Sequence, residues 1–162
     1  MKNRIIYCKR IMPASILAVV ITAAIGLAPS RLAASQTIYV TGTINESVVG
    51  GAFQTPNGLE VINDDVWTGS LVGEGFVHVF GGDCTTDSCT NSMIVRRLFT
   101  SEGHLLLNGV GSFVGTVVNT VETVAGGTGI YNGATGQLTL QGIRTPGVGV
   151  VFTYTGSITL AD

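Results

Sequence analysis

Residues 125–142, Ala125-Gly126-Gly127-Thr128-Gly129-Ile130-Tyr131-Asn132-Gly133-Ala134-Thr135-Gly136-Gln137-Leu138-Thr139-Leu140-Gln141-Gly142, decide the fold. The first half crowds glycines around Tyr131. Glycine takes backbone angles closed to other residues, so this half reads as a tight corner and not as helix. The second half alternates polar and apolar residues with period two, the pattern of a strand with one covered face. At Gly127 and Gly129 the corner is expected to need angles that a β-carbon disfavours.

The same grammar runs outward in both directions. Arg144-Thr145-Pro146-Gly147 turns the chain into a last strand at 148–160. There Phe152, Tyr154, Ile158 and Leu160 share one face with Gly156, while Thr153, Thr155, Ser157 and Thr159 share the other. The bulky parity is expected inside, joined by Leu138 and Leu140, because burying such a side chain is worth about 1.5–3 kcal/mol. Upstream, residues 117–124, 104–114 and 93–100 read as strands. Residues 67–80 hold strand material broken near Gly73-Glu74-Gly75, and Ile38, Val40 and Ile44 mark a first strand at 37–45. Residues 46–65 are less regular, with Gly50-Gly51, Pro56-Asn57-Gly58 and Asn63-Asp64-Asp65 as turn signals. No helices of 10–15 residues intervene, so a parallel βαβ sheet is excluded and an all-β antiparallel barrel or sandwich is left. Bulky residues and glycines mixed on one strand face suit a coiled sheet closing on itself, which also removes exposed edges.

The start of the chain is separate from this domain. Lys2, Arg4, Lys9 and Arg10 precede an apolar run at 14–28, and Ala33-Ala34-Ser35 offers a small-residue cleavage site before Gln36. That is the layout of a secretory signal peptide over 1–35, with the mature domain at 36–162. The apolar run is about 15 residues, short of the roughly 20 needed to span a bilayer. The expected location is therefore secreted or periplasmic. Arg96, Arg97 and Arg144 are the only lysines or arginines after residue 35, against ten carboxylates, a net charge of −7. Such a surface repels phosphate backbones and argues against nucleic acid and anionic membranes as partners. Cys84 and Cys89 share a short polar segment, which in an oxidising compartment reads as a local disulfide. A metal site would need a second Cys or His pair nearby, and none is there.

At this point the residues resemble a known superfamily, the barrels of the allene oxide cyclases and dirigent proteins. Gly126 to Gly136 is similar to its GGTG-x-aromatic-x-x-A-x-G signature. The strand from Gly136 to Gln141, the hairpin from Phe99-Thr100 to Gly103-His104, and Val72-Gly73-Glu74-Gly75-Phe76 are similar to neighbouring parts of the same domain. The resemblance implies an antiparallel, about eight-stranded closed β-barrel with a largely apolar cavity, often assembled as a homo-oligomer, a trimer. Thr43 precedes Ile44-Asn45 where the cyclases carry a glutamate, and Asn132 and Thr135 lie where dirigent proteins commonly carry arginine.

Chemistry-bearing residues are few. Gly127-Thr128-Gly129 lacks the third glycine and the following helix of a dinucleotide loop. No G-x-S-x-G elbow is present. His78 and His104 have no matched third ligand, so neither a metal nor any other cofactor is expected. Asn45-Glu46-Ser47 is a glycosylation sequon, meaningful in a eukaryotic secretory pathway. Trp67 reads as packing. Arg96 and Arg97 are adjacent, so a strand points one of them inward, where a buried charge needs a partner; Glu74 and Glu122 are the acids in or beside strand runs. Ligand-binding candidates are therefore Tyr154, Phe152, Leu138, Leu140, Arg96, Arg97, Glu122 and Glu74. The expected function is an exported barrel that encloses a small apolar molecule, since no catalytic constellation is legible. The alternative is an enzyme that steers cyclisation or isomerisation of a reactive small molecule by enclosure.

Overall fold

The computed structural model describes residues 35–51, 55, 56 and 58–162. All lie in the compact unit Ala33–Asp162. The expected leader, Ser35 apart, falls outside the described residues.

Among the described residues there are nine strands: β1 Gln36–Gly50, β2 Leu59–Gly69, β3 Gly73–Gly81, β4 Asp83–Cys84, β5 Ser88–Thr100, β6 Gly103–Val114, β7 Val117–Gly127, β8 Thr135–Thr145 and β9 Gly149–Leu160. They pair in the order β3-β2-β1-β9-β8-β7-β6-β5-β4, and a further β3–β5 pairing closes the sheet. The result is an eight-stranded antiparallel barrel, with β4 as a short extra strand folded back on β5. Short connections between sequential strands make antiparallel neighbours the natural pairing. β1 returns to β9 along twelve paired positions, from Gln36↔Leu160 to Ser47↔Gly149, so the two ends of the domain stitch the barrel together.

The strict alternation of β9 sets its orientation. Phe152, Tyr154 and Ile158 are buried and Thr153 and Thr155 are exposed, with Leu138 and Leu140 of β8 buried beside them. Inward glycines make space for these side chains. A β-carbon on Gly142 would meet the Phe152 ring, and one on Gly42 would meet the Tyr154 ring and the Thr68 carbonyl.

The glycine corner forms as expected, with one change of reason. Gly129 has φ +61, opens the 3₁₀ turn Gly129–Tyr131, and would put a β-carbon into the Glu102 carbonyl. Gly127 has no left-handed angle; it is needed because a β-carbon there would strike the His104 carbonyl oxygen. Tyr131 turns inward from this corner and is buried. With Leu71, Leu98, Leu105, Val124, Ala134, Leu138, Tyr154 and Ile158 it fills the half of the barrel nearest the corner. The Tyr154 hydroxyl accepts from Leu71 N–H at 2.9 Å and donates to the Thr68 carbonyl at 3.1 Å, and its ring packs on Trp67.

Two segments differ from their sequence reading. Residues 46–65 are mostly strand, with Asn63-Asp64-Asp65 inside β2 and not at a turn. Pairing with β1 and β3 on its two sides outweighs the turn preference of Asn and Asp. The expected break at Gly73-Glu74-Gly75 moves to residues 70–72, because Gly69 takes φ +102 and bends the chain there. Gly73 and Gly75 instead sit in β3 where a β-carbon would strike the carbonyls of Phe99 and Arg97.

Candidate functional site

The barrel interior carries a layer of charge. Period two places Glu46 of β1 on the same side as Val40 and Ile44, and Asn63 and Asp65 of β2 on the same side as Val61 and Trp67. Glu46 and Asp65 are direct cross-strand partners, so two carboxyls meet on one inward face. Arg96 of β5 and Glu122 of β7 enter from the opposite wall. Glu122 is accommodated because its paired residue on β6 is Gly109, where a β-carbon would press on the Glu122 side chain. All five residues are buried.

Arg96 ties the layer together. Its Nε donates to Glu122 Oε2 at 2.9 Å and its Nη2 to Oε1 at 2.9 Å, a fork-to-fork pair. Its Nη1 donates to Asp65 Oδ2 at 2.6 Å and lies 2.8 Å from Glu46 Oε1. Asn63 Nδ2 donates to Glu46 Oε2 at 2.9 Å, and the Thr120 hydroxyl reaches Glu122 Oε1 at 3.4 Å. The Trp67 ring stands 5.6 Å from the guanidinium carbon.

Three buried carboxyls surround one guanidinium, so the layer is short of positive charge. Burial opposes the charge on Arg96, but Glu122, Glu46 and Asp65 outweigh it and hold the guanidinium well above its ordinary range. Burial pushes the Glu46 carboxyl up to about 7; Arg96 pulls it down, and the negative charge of Asp65 pushes it further up. Burial likewise raises Asp65, against the pull of Arg96. A carboxyl that titrates near neutrality inside a barrel is chemically competent to hold a proton and to release it.

Above this layer, toward the β8–β9 turn, the barrel is not filled. A cavity of about 100 Å³ runs from Glu46, Asn63, Arg96 and Thr120 past Val61, Ile94, Val118 and Phe152 to Thr145, Pro146 and Gly147 of the turn. Arg144 lies at its rim, with its guanidinium carbon 3.7 Å from the Phe113 ring centre and its Nε donating to the Gly115 carbonyl. Ser92 also lines this cavity, just after a bulge in β5 where Asn91 takes φ 59. The expected disulfide joins Cys84 to Cys89 across the β4–β5 hairpin, and Cys89 Sγ lies 3.0 Å from Ser92 Oγ.

The sequence candidates distribute as follows. Arg96 and Phe152 line the cavity, and Glu122 holds Arg96 from beneath. Tyr154, Leu138 and Leu140 are buried but do not line it; Tyr154 and Leu138 pack into the corner half. Arg97 and Glu74 face outward, because alternation sends the neighbour of an inward residue to the surface. There Arg97 lies over the Phe76 ring. Glu46, Asn63 and Asp65 did not stand out from the sequence. Extending the Val40-Ile44 parity by one step reaches Glu46, and counting back from Trp67 by twos reaches Asp65 and Asn63.

No family model and no curated protein matches this sequence. Among solved structures, the chain is similar to the pterocarpan synthase dirigent protein PsPTS1, with a TM-score of 0.52 and 14% identity over 78% of this chain and 97% of that one. It also aligns with the pterocarpan synthase dirigent protein GePTS1, at a TM-score of 0.41 and 11% identity over 95% of this chain and 98% of that one. The first of these, with the closed antiparallel barrel, shows the fold: this is a dirigent-like barrel.

Proposed function

We propose that this chain is an exported barrel that encloses a small, mostly apolar molecule in its turn-side cavity and moves a proton on it through Glu46, steering an isomerisation or ring closure. The observation that carries this reading is the position of the charge layer. Glu46, with its carboxyl raised to about 7, lies on the floor of a cavity walled by Val61, Ile94, Val118 and Phe152. General acid–base catalysis works best when the group titrates near the working pH, and enclosure supplies orientation without many further groups. The fold supports the reading by analogy, since a barrel of the same architecture is named a pterocarpan synthase. Export is supported by the leader-like start of the sequence and by the disulfide.

Cyclohexanone, a single apolar ring with exchangeable α-protons, tests the proton transfer without knowledge of the natural substrate. In heavy water the protein should accelerate deuterium uptake at the α-carbon, read by NMR. Glu46→Gln should reduce that rate to background, and Val61→Trp should block it by filling the cavity. Retention of the ketone without exchange would replace this reading with that of a carrier. Exchange that survives Glu46→Gln would remove Glu46 from the chemistry.

A further inference from the structure

The chemistry of the cavity floor narrows what the enclosed molecule is; this rests on the enclosure just described. An anionic ligand has no seat there. Arg96 is the only cation in the buried layer, and each of its three nitrogens already faces a carboxyl: Nε and Nη2 face Glu122, and Nη1 faces Asp65 and Glu46. What the floor offers instead is acceptors. Asn63 donates its amide nitrogen to Glu46, so its Oδ1 is directed elsewhere, and that buried oxygen has no hydrogen-bond donor. Glu46 Oε1 touches Arg96 Nη1 but makes no hydrogen bond of good geometry, and both residues line the cavity. A buried acceptor without a donor costs about 1–3 kcal/mol, which a ligand donor recovers on binding.

A hydroxyl would satisfy Asn63 Oδ1. It would leave the charge imbalance of three carboxyls against one guanidinium untouched. A basic nitrogen answers both. We propose that the cavity binds small apolar amines or imines, with the nitrogen on Glu46 and Asn63 and a single hydrocarbon ring among Val61, Ile94, Val118 and Phe152. At about 100 Å³ the cavity is smaller than the ~150 Å³ that holds a benzene, so a single ring fits by extending from the floor toward the β8–β9 turn at the barrel end. The proton step balances within the pair: the O–H bond of the Glu46 carboxyl breaks, an N–H bond forms on the nitrogen lone pair, and a carboxylate and an ammonium or iminium result. Nothing is oxidised or reduced. The charged groups around Glu46 are Asp65 from β2, Arg96 from β5 and Glu122 from β7, with Arg144 of β8 at the rim.

Benzylamine, benzyl alcohol and benzoate carry the same ring and three different heads. Calorimetric titration of each into the full chain at pH 8 is the test. Benzylamine should bind about tenfold or more tighter than benzyl alcohol, because a charge-assisted hydrogen bond is roughly twice as strong as a neutral one. Benzoate should bind weakest. Glu46→Gln should bring the ratio of benzylamine to benzyl alcohol affinity down to about one. Asn63→Leu, which leaves the Arg96 pairs in place, should narrow the same preference if the first variant does not fold. Equal binding of amine and alcohol, or preference for benzoate, overturns the amine assignment while leaving the enclosed cavity intact. Failure of all three to bind overturns both.

Discussion

Glu46 is a carboxyl held in a place that disfavours its charge, and this has a measurable thermodynamic sign. Its pKa rises from 4.5 to about 7 on folding. The folded state therefore holds the proton more tightly than the unfolded chain. The stabilisation is fully present below 4.5 and is lost as pH rises through 7, a change of about 3 kcal/mol. Asp65 shifts in the same direction and adds the same sign. Urea unfolding should show a more stable protein at pH 5 than at pH 8, and Glu46→Gln should flatten that difference. An equally steep difference in the variant would assign the titration to another group. Arg96→Met should behave far more severely, costing about 3–5 kcal/mol, because it leaves three buried carboxyls without their cation; expression with a lost or sharply lowered denaturation midpoint is the readout. Two of the five residues of this layer were legible in the sequence. Arg96 and Glu122 could be named because an Arg-Arg pair on a strand must send one charge inward. Asn63 and Asp65 were read as a turn because their types favour turns. Buried polar residues break the inside-outside pattern on which strand reading rests, and such breaks concentrate where function is.

At the scale of elements, the glycine corner and the β4–β5 hairpin make contrasting cases. Gly129→Val forces a branched residue into a left-handed angle and drives its β-carbon toward the Glu102 carbonyl. The cost should be about 1–3 kcal/mol or more, and an unchanged denaturation midpoint would show that the corner tolerates it. Cys84→Ser opens a loop whose cysteines are five residues apart. The effect should be local and about 1–2 kcal/mol by loop entropy, with hydrogen exchange rising in 82–90 while the barrel strands stay protected. β8 and β9 were legible because their polar and apolar residues alternate strictly, and β5 to β7 because strand-forming residues run between turns that carry glycine. β2 was not, because its inward positions mix valine, asparagine, aspartate and tryptophan, and no simple period emerges until the neighbouring strands are in place.

At the scale of the whole molecule, the barrel has two unlike halves divided by the charge layer. The corner half is a packed core in which Tyr154 is a structural strut. Tyr154→Phe removes its hydrogen bonds to Leu71 and Thr68 and should cost about 1 kcal/mol or somewhat more, without altering uptake in the turn-side half. A loss of uptake with stability unchanged would show that the two halves communicate. Closure of the barrel was readable from the glycines and bulky residues that alternate on β9. Its division was not, because a sequence shows which residues point inward but not which of them meet across the lumen.

On the proposed reading, an occupant enters and leaves at the β8–β9 turn, toward which the cavity runs. Traffic through it is first in, last out: an occupant has to back out before a successor can advance. A product would therefore contend with its own precursor for one threshold and could not leave by a rear exit as the next molecule arrives. Turnover under the proposed chemistry would then be metered by departure, and its simplest kinetic imprint would be strictly competitive inhibition by the product.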